Sequence, residues 1–494
     1  MTLNRNPKKS RPYDEPPKRR RRLIPDGADS TAIGFFVASA VWLAVATVIG
    51  ALAIGIRLIP FELSFPLGLF DLSFEFGTRR VDAAFINATV YGWLTNAGFA
   101  AVAFMTPRLF GRPLAGIKLA NLGVAFWNMS LAGGIAGLYV FDLGPNAALS
   151  AMLWLFEGGL ATAALIVTGS FLATAGASIR SGYVSAWFAG VALLGLAGLL
   201  GLNATIGLAD LFIELPALTV ALASVFVERA LMTIWLLGIT YAILHYVVPR
   251  ATGQPLASGG LAILTWLTWL ALAPVSALAT LQDTSVPFTF TTIGSVATIL
   301  LLVPAALAFA NLVQSMQGRW TLLFGTGTLA FAAISLAFLL ATSLLEAIGS
   351  LRTVDQALGG TDWVRGVFLW AAYGAFSFAA FAIAEHAMPR VLRRAWGAGP
   401  LASGQLWLAF AGTTLAGLAL MGGGLAEGSL RAAGTAPDAI DAALLLYRVP
   451  AFVGFGMVAL AGLAMLVNLF LMYTSGEPVE YAIPGQAAPA AAGH

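Results

Sequence analysis

The chain has 494 residues, 59% hydrophobic and 10% charged, with a formal net charge of +3 and a mean hydropathy of +0.86. A water-soluble domain with that surface would aggregate, so the composition points to one membrane-embedded bundle. The sequence holds no cysteine and three histidines, which excludes disulfides, thiolate metal sites, iron–sulfur ligation and covalent c-type haem attachment within this chain and leaves few imidazoles for any other metal.

Residues 1–30 carry the concentrated positive charge, with Lys8, Lys9, Arg11, Lys18 and the run Arg19 to Arg22 ahead of the first apolar segment. Such a block reads as a solvated cytoplasmic tail. No aromatic or groove-fitting element accompanies it, so no nucleic-acid role is expected. The apolar stretch that follows is too long, and too poorly closed by small residues, for a cleaved signal peptide.

A spanning helix needs about 20 mostly apolar residues to cross a core of about 30 Å. Apolar spans fall near 31–58, 84–106, 118–141, 147–173, 184–206, 217–248, 257–281, 288–314, 321–347, 363–388, 402–426 and 441–473. The fold class expected is therefore an all-α integral membrane protein, with about twelve transmembrane helices in a domain at 31–474. The tail at 475–494, rich in Pro and Ala, reads as disordered.

With the basic N-terminus inside, the even-numbered connections carry Arg108, Arg112, Lys118, Arg180, Arg250, Arg319, Arg390, Arg393 and Arg394. Most loop carboxylates, including Asp210, Asp283, Asp355, Asp362, Asp438 and Asp441, fall on the other side. The positive-inside rule then places both termini in the cytoplasm of a bacterial-type inner (plasma) membrane. Gly- and Ala-rich runs such as 131–139 and 190–203 let helix backbones approach closely. Proline beside a basic residue, at Pro249-Arg250 and Pro389-Arg390, reads as a helix stop at the inner surface.

From the sixth span onward the segments HYVVPRATGQP (245–255), SVPFTFTTIG (285–294), LLLVPAALAFANLVQSMQGRW (300–320) and TDWVRG (361–366) follow in a fixed order. RVDAAFINATVYGWLTNAGFA at 80–100 precedes them. In order and spacing these resemble the catalytic subunit (subunit I) of cbb3-type cytochrome c oxidases, within the haem-copper oxidase superfamily, over about residues 80 to 400. The resemblance implies a subunit I-like bundle.

It also implies metal ligands, and here the sequence departs from it. The second-helix histidine for the low-spin haem falls on Phe85, and the two haem histidines after the T-D-W-x-x-G motif fall on Val367 and Leu369. The copper histidines fall on Arg229, Ala279 and Thr280, the family's tyrosine on Ala273, and a further histidine on Gln282. Phe, Val, Leu and Ala offer a metal no lone pair, and a guanidinium stays protonated. The resemblance therefore implies a degenerate homologue with no haem or copper in this chain and with oxygen reduction lost. His245 and His386 sit near predicted cytoplasmic helix ends, and His494 ends the chain.

Arg229 is the sharpest remaining feature, because an intramembrane guanidinium is costly unless paired or facing a cavity. Glu157 and Glu346 are candidate partners, with Glu346 alternatively pairing Arg352 or Arg365, and Glu228 points elsewhere since adjacent residues do not share a helix face. Such a charge site either fills vacated space or binds an anion or proton. Tyr241, His245 and Tyr246 read as interfacial anchors or as a proton relay.

Three functions follow as expectations. The first is a cofactor-free scaffold subunit of a respiratory or electron-transfer complex, docking a membrane-anchored c-type cytochrome whose haem c lies in that partner. The second is proton, anion or small-molecule transport through the vacated cavity around Arg229. The third is an oxidase or nitric oxide reductase with unusual ligands.

Overall fold

The structure is a computed structural model that describes residues 27–59, 61–66, 73–141, 147–282, 284–325, 327–397 and 399–479. The basic residues Lys8 to Arg22, Asp283, and the chain beyond residue 479 with His494 lie outside the described residues. Twelve long helices follow one another among those described: α1 Ser30–Leu58, α2 78–110, α3 Ile117–Gly137, α4 Trp154–Arg180, α5 Val184–Ile213, α6 Ala217–Thr252, α7 Gly259–Leu281, α8 Phe288–Gln314, α9 Gly327–Gly349, α10 Asp362–Leu392, α11 Gly399–Ala432 and α12 Pro437–Ser475.

Eleven of these are long and apolar enough to cross a membrane, and α2 is the exception. Its middle carries Asn87, Thr89, Thr95 and Asn96, and every residue from 87 to 106 is buried. A helix wrapped by protein can carry polar groups that a lipid-facing helix cannot. Asn96 uses this shelter by exchanging amide hydrogen bonds with Asn128 of α3 at 3.1 and 3.2 Å.

α2, α6 and α10 form the interior, and each contains one π-helical stretch, at Ala88–Thr95, Leu231–Leu236 and Trp370–Phe376. A π turn re-aims side chains within a helix and is common where function is built. Polar contacts tie these stretches to one another. The Thr89 and Tyr373 hydroxyls lie 2.8 Å apart, Trp93 Nε1 donates to Ser377 Oγ at 2.7 Å, and Trp235 Nε1 donates to Thr95 Oγ1 at 2.9 Å.

The prolines read as helix stops are instead in the last turns of α6 and α10. Those helices run on to Thr252 and Leu392 and end where Gly253 (φ 67°) and Arg393 (φ 54°) turn left-handed. A proline there removes one hydrogen bond without ending the helix, whereas a left-handed residue after the last turn closes it. Beyond α12, Ala395 N donates to Glu477 O and Val479 N to Arg393 O, so the first residues of the predicted tail lie against the end of α10.

One element has no counterpart in the sequence reading: an antiparallel hairpin between α1 and α2, β1 Leu63–Pro66 with β2 Ser73–Phe76, in the register Leu63↔Phe76 and Phe65↔Phe74. Alternation puts Leu63, Phe65, Phe74 and Phe76 on one face. Tyr139, beyond the end of α3, stacks against Phe74 and Phe76 at 5.7 and 6.1 Å. Arg80 clamps the hairpin by pairing with Glu75 while donating to the Phe141 carbonyl at 2.7 Å.

Candidate functional site

A cavity of about 570 Å³ opens between α6, α7, α8, α9 and α10. Arg229, Ala279, Thr280, Gln282 and Val367 all line it, although they come from three separate stretches of sequence. Thus five of the positions that the family resemblance singled out meet at one place. Leu369 and Ala273 are buried nearby in sequence, at 3% and 1% exposure, but are not part of the lining.

Arg229 sits just before the π stretch of α6 and reaches Glu346, near the end of α9, with Nη2 2.8 Å from Oε2. Both side chains are partly open to the cavity, at 17% and 31% exposure. Arg229 Nε has no acceptor among the described residues. The wall around the pair is held by its own polar contacts: Thr233 Oγ1 donates to Ala273 O at 3.0 Å, Thr280 Oγ1 to Ala277 O at 2.8 Å, and Gln282 Nε2 to Ser295 Oγ at 2.8 Å.

Of the two carboxylates offered as partners, only Glu346 pairs with Arg229. Arg365 salt-bridges Asp362 at 2.7 Å, and the Arg352 guanidinium lies over the Phe288 ring. Glu157 starts α4 and is buried at 3% exposure, with Oε1 unpartnered. Its surroundings include Tyr91 of α2 and Asn203 of α5.

Glu228, set aside by the sequence reading, does direct its carboxylate away from Glu346, accepting from Leu149 N at 3.2 Å. Yet it borders the same cavity as Arg229. The cavity is wide enough to receive two adjacent residues on divergent headings, which a helical-face argument does not register. Thr342 of α9, 6% exposed and without a hydroxyl partner, lines the cavity too.

Phe85 lies elsewhere, in an aromatic cluster. It stacks parallel to Tyr373 at 6.1 Å and meets the edges of Phe368 and Phe455 at 6.2 and 5.5 Å. The cluster is packed tightly enough that a Cβ on Gly50 would fall 2.5 Å from the Phe85 ring.

The expected interfacial anchors are not at an interface. Tyr241, His245 and Tyr246 are 0–1% exposed, because the C-terminal half of α6 is enclosed by other helices. His245 Nδ1 bonds Tyr241 O at 2.8 Å with its ring against Phe188, and His386 meets the rings of Phe104 and Tyr246. His245 lies 16 residues beyond Arg229 on α6, about 24 Å along the axis, so it does not reach the cavity.

Haem iron and a copper ion of this kind call for imidazole donors. The cavity offers a guanidinium, the carboxylates of Glu228, Glu346 and Asp355, hydroxyls, one amide and apolar side chains, and without an imidazole this set does not fit either group. Among the described residues no three His, Cys, Asp or Glu side chains cluster so as to hold a metal ion.

Comparison with known proteins bears on the fold around this cavity. The chain is 24% identical over 254 residues to the cbb3-type cytochrome c oxidase subunit CcoN1 of Stutzerimonas stutzeri, an alignment covering 50% of this chain and 54% of that protein. The match thus spans about half the length of that curated relative. The fold matches a haem-copper terminal oxidase, solved as a dimer by cryo-electron microscopy, with a TM-score of 0.73 and 13% identity, covering 93% of this chain and 86% of the other. A sequence profile of the family described as cytochrome c and quinol oxidase polypeptide I matches residues 30–465. This multi-pass, haem-copper oxidase subunit I-like membrane protein therefore belongs to the cytochrome c and quinol oxidase polypeptide I family.

Proposed function

We propose that this chain is a non-catalytic membrane scaffold of an electron-transfer or respiratory complex, holding no haem b or copper itself and docking a membrane-anchored c-type cytochrome that carries haem c. It sits in a bacterial-type inner membrane with both termini in the cytoplasm. The observation that carries this reading is the Arg229–Glu346 ion pair, 2.8 Å long, in a cavity lined by Ala279, Thr280 and Val367. A guanidinium on the position that the family resemblance gives to a copper ligand stays protonated and offers a metal no lone pair. The rest of the bundle keeps a family-like architecture, so surfaces that bind other subunits can outlast the redox centre.

Purification from native membranes in mild detergent, with subunit identification and an absorption spectrum, tests it. A co-purifying c-type cytochrome and no b-type haem band from this chain are expected. Isolation without any partner would remove the scaffold reading, and a stoichiometric b-type band from this chain would instead restore an oxidase or nitric oxide reductase with unusual ligands.

A second reading is favoured by the cavity itself, which has the volume of a small-molecule site, mostly apolar walls and a few convergent polar groups. In it the chain passes protons or a small solute around Arg229. Reconstituted Arg229→Leu vesicles with unaltered flux for every candidate solute would end that reading.

A further inference from the structure

We propose that the Arg229 cavity is a binding site for an organic ammonium cation, with Glu228 as the charge that recognises it. This rests on the cavity being a ligand site, and it names the ligand class. The reasoning begins with charge. Arg229, the reason to expect an anion, is already neutralised by Glu346 at 2.8 Å. An anion arriving there would have to displace a carboxylate that the chain itself supplies.

The charge left over on the wall is negative. Glu228 borders the cavity and accepts a hydrogen bond from Leu149 N at 3.2 Å. Among the described residues no cationic side chain pairs with it. A carboxylate held by backbone at the border of a low-dielectric cavity attracts a cation strongly, since the same charges interact several-fold more strongly there than in water.

The remaining wall specifies the shape of that cation. Polar acceptors are supplied by Thr280 and by Thr342, whose buried hydroxyl has no partner among the described residues. An ammonium group presents donors to such oxygens. Trp363 and Phe368 also line the cavity, and aromatic faces favour cations. At about 570 Å³ the space far exceeds a bare alkali ion, so an amine with an apolar body fills it and an inorganic cation does not.

The test uses the full chain in detergent or nanodiscs and reads thermal stability and calorimetric binding with matched pairs that differ only in charge: benzylamine against benzoate, and octylamine against octanoate. The amines should bind about tenfold or more tightly than their carboxylate counterparts, the discrimination of one charge-assisted hydrogen bond. Glu228→Gln should remove the preference and Glu228→Asp should keep it. Sodium chloride at equal ionic strength should give no saturable shift.

Tighter binding of the carboxylates would overturn the assignment while leaving a ligand site around Arg229. Binding of neither class would overturn the assignment together with the ligand-site reading. The wild-type comparison of amine with carboxylate decides the matter even where Glu228→Gln fails to fold.

Discussion

Arg229 and Glu346 meet from α6 and α9, and neither residue is well solvated. Removing one partner strands the other in a medium that solvates charge poorly, so the loss exceeds the value of the pair itself. Arg229→Met should destabilise the protein by about 1–3 kcal/mol, a range lowered because both side chains are partly open to the cavity. Adding Glu346→Met should recover most of that loss. A double-mutant cycle by thermal unfolding measures it, and additive losses would show that the two side chains do not act as a pair.

Asp362 is a stricter case at the same scale. Its side chain is 1% exposed and salt-bridges two arginines, Arg365 at 2.7 Å and Arg448 at 3.1 Å, the latter from α12. Arg448 also reaches Asp441 at 3.1 Å. Asp362→Asn leaves two guanidiniums sharing one neutral amide and should cost about 3–5 kcal/mol. The same melting assay checks this, with Asp441→Asn, a 69% exposed partner, expected to cost about 1 kcal/mol or less.

Between elements, stability turns on how closely backbones approach. Gly424 of α11 lies against the start of α10, where an added Cβ would stand 2.1 Å from Trp363 N. Backbone cannot swing aside as a side-chain tip can, so Gly424→Ala should push the two helices apart at a cost of about 1–3 kcal/mol. Gly404, on the same helix, has nothing within 4 Å of that position. Gly404→Ala should be neutral or stabilise by about 0.5–1 kcal/mol through helix propensity alone. Equal effects of the two substitutions would remove the packing explanation.

The elements also mark where sequence reading runs out. Eleven of the twelve spans were legible because long apolar runs have one cheap solution in lipid, and all twelve helices lie close to the positions read from hydropathy. The π stretches of α2, α6 and α10 were not, since composition and periodicity barely distinguish a π turn from an α turn. The hairpin was missed because eight residues with alternating Phe and Leu in a loop carry too little signal beside the runs on either side. At the cavity, Arg229, Ala279, Thr280, Gln282 and Val367, positions that the family resemblance singled out, line one space. Choosing between Glu157 and Glu346, and recognising Glu228 and Thr342, needed the relative rotation of α4, α6 and α9, which no local pattern encodes.

At the scale of the whole molecule, the expectation of twelve passes puts the start of α1 and the end of α12 on the same side of the membrane. α12 has 39 residues and so measures about 58 Å, against a hydrocarbon core of about 30 Å. Its length exceeds that core, and its first turns carry the exposed Asp438 and Asp441. Reporter fusions read this directly: an insertion in the turn at Gly434 between α11 and α12 should report the outer compartment, and fusions at either terminus the inner one. The reverse pattern would invert the orientation drawn from loop arginines.

A bundle so oriented makes a last prediction about cofactors, because anything that binds the folded chain and not the unfolded one must raise its stability by mass action. At 100 times its dissociation constant a specific ligand adds about 2.7 kcal/mol, which a melting curve resolves easily. The Phe85 cluster is closed by Tyr373, Phe368 and Phe455, and the cavity presents Arg229 where a metal would need a lone pair. Titrating the purified protein with haem b or with cuprous ion should therefore leave its melting temperature unchanged and produce no saturable haem band. Replacing Phe85, Val367 and Leu369 together by histidine should gain haem-dependent stabilisation if the family's geometry persists beneath the substitutions. Saturable stabilisation of the unmodified protein by either cofactor would show that imidazoles at those positions are not what the fold requires.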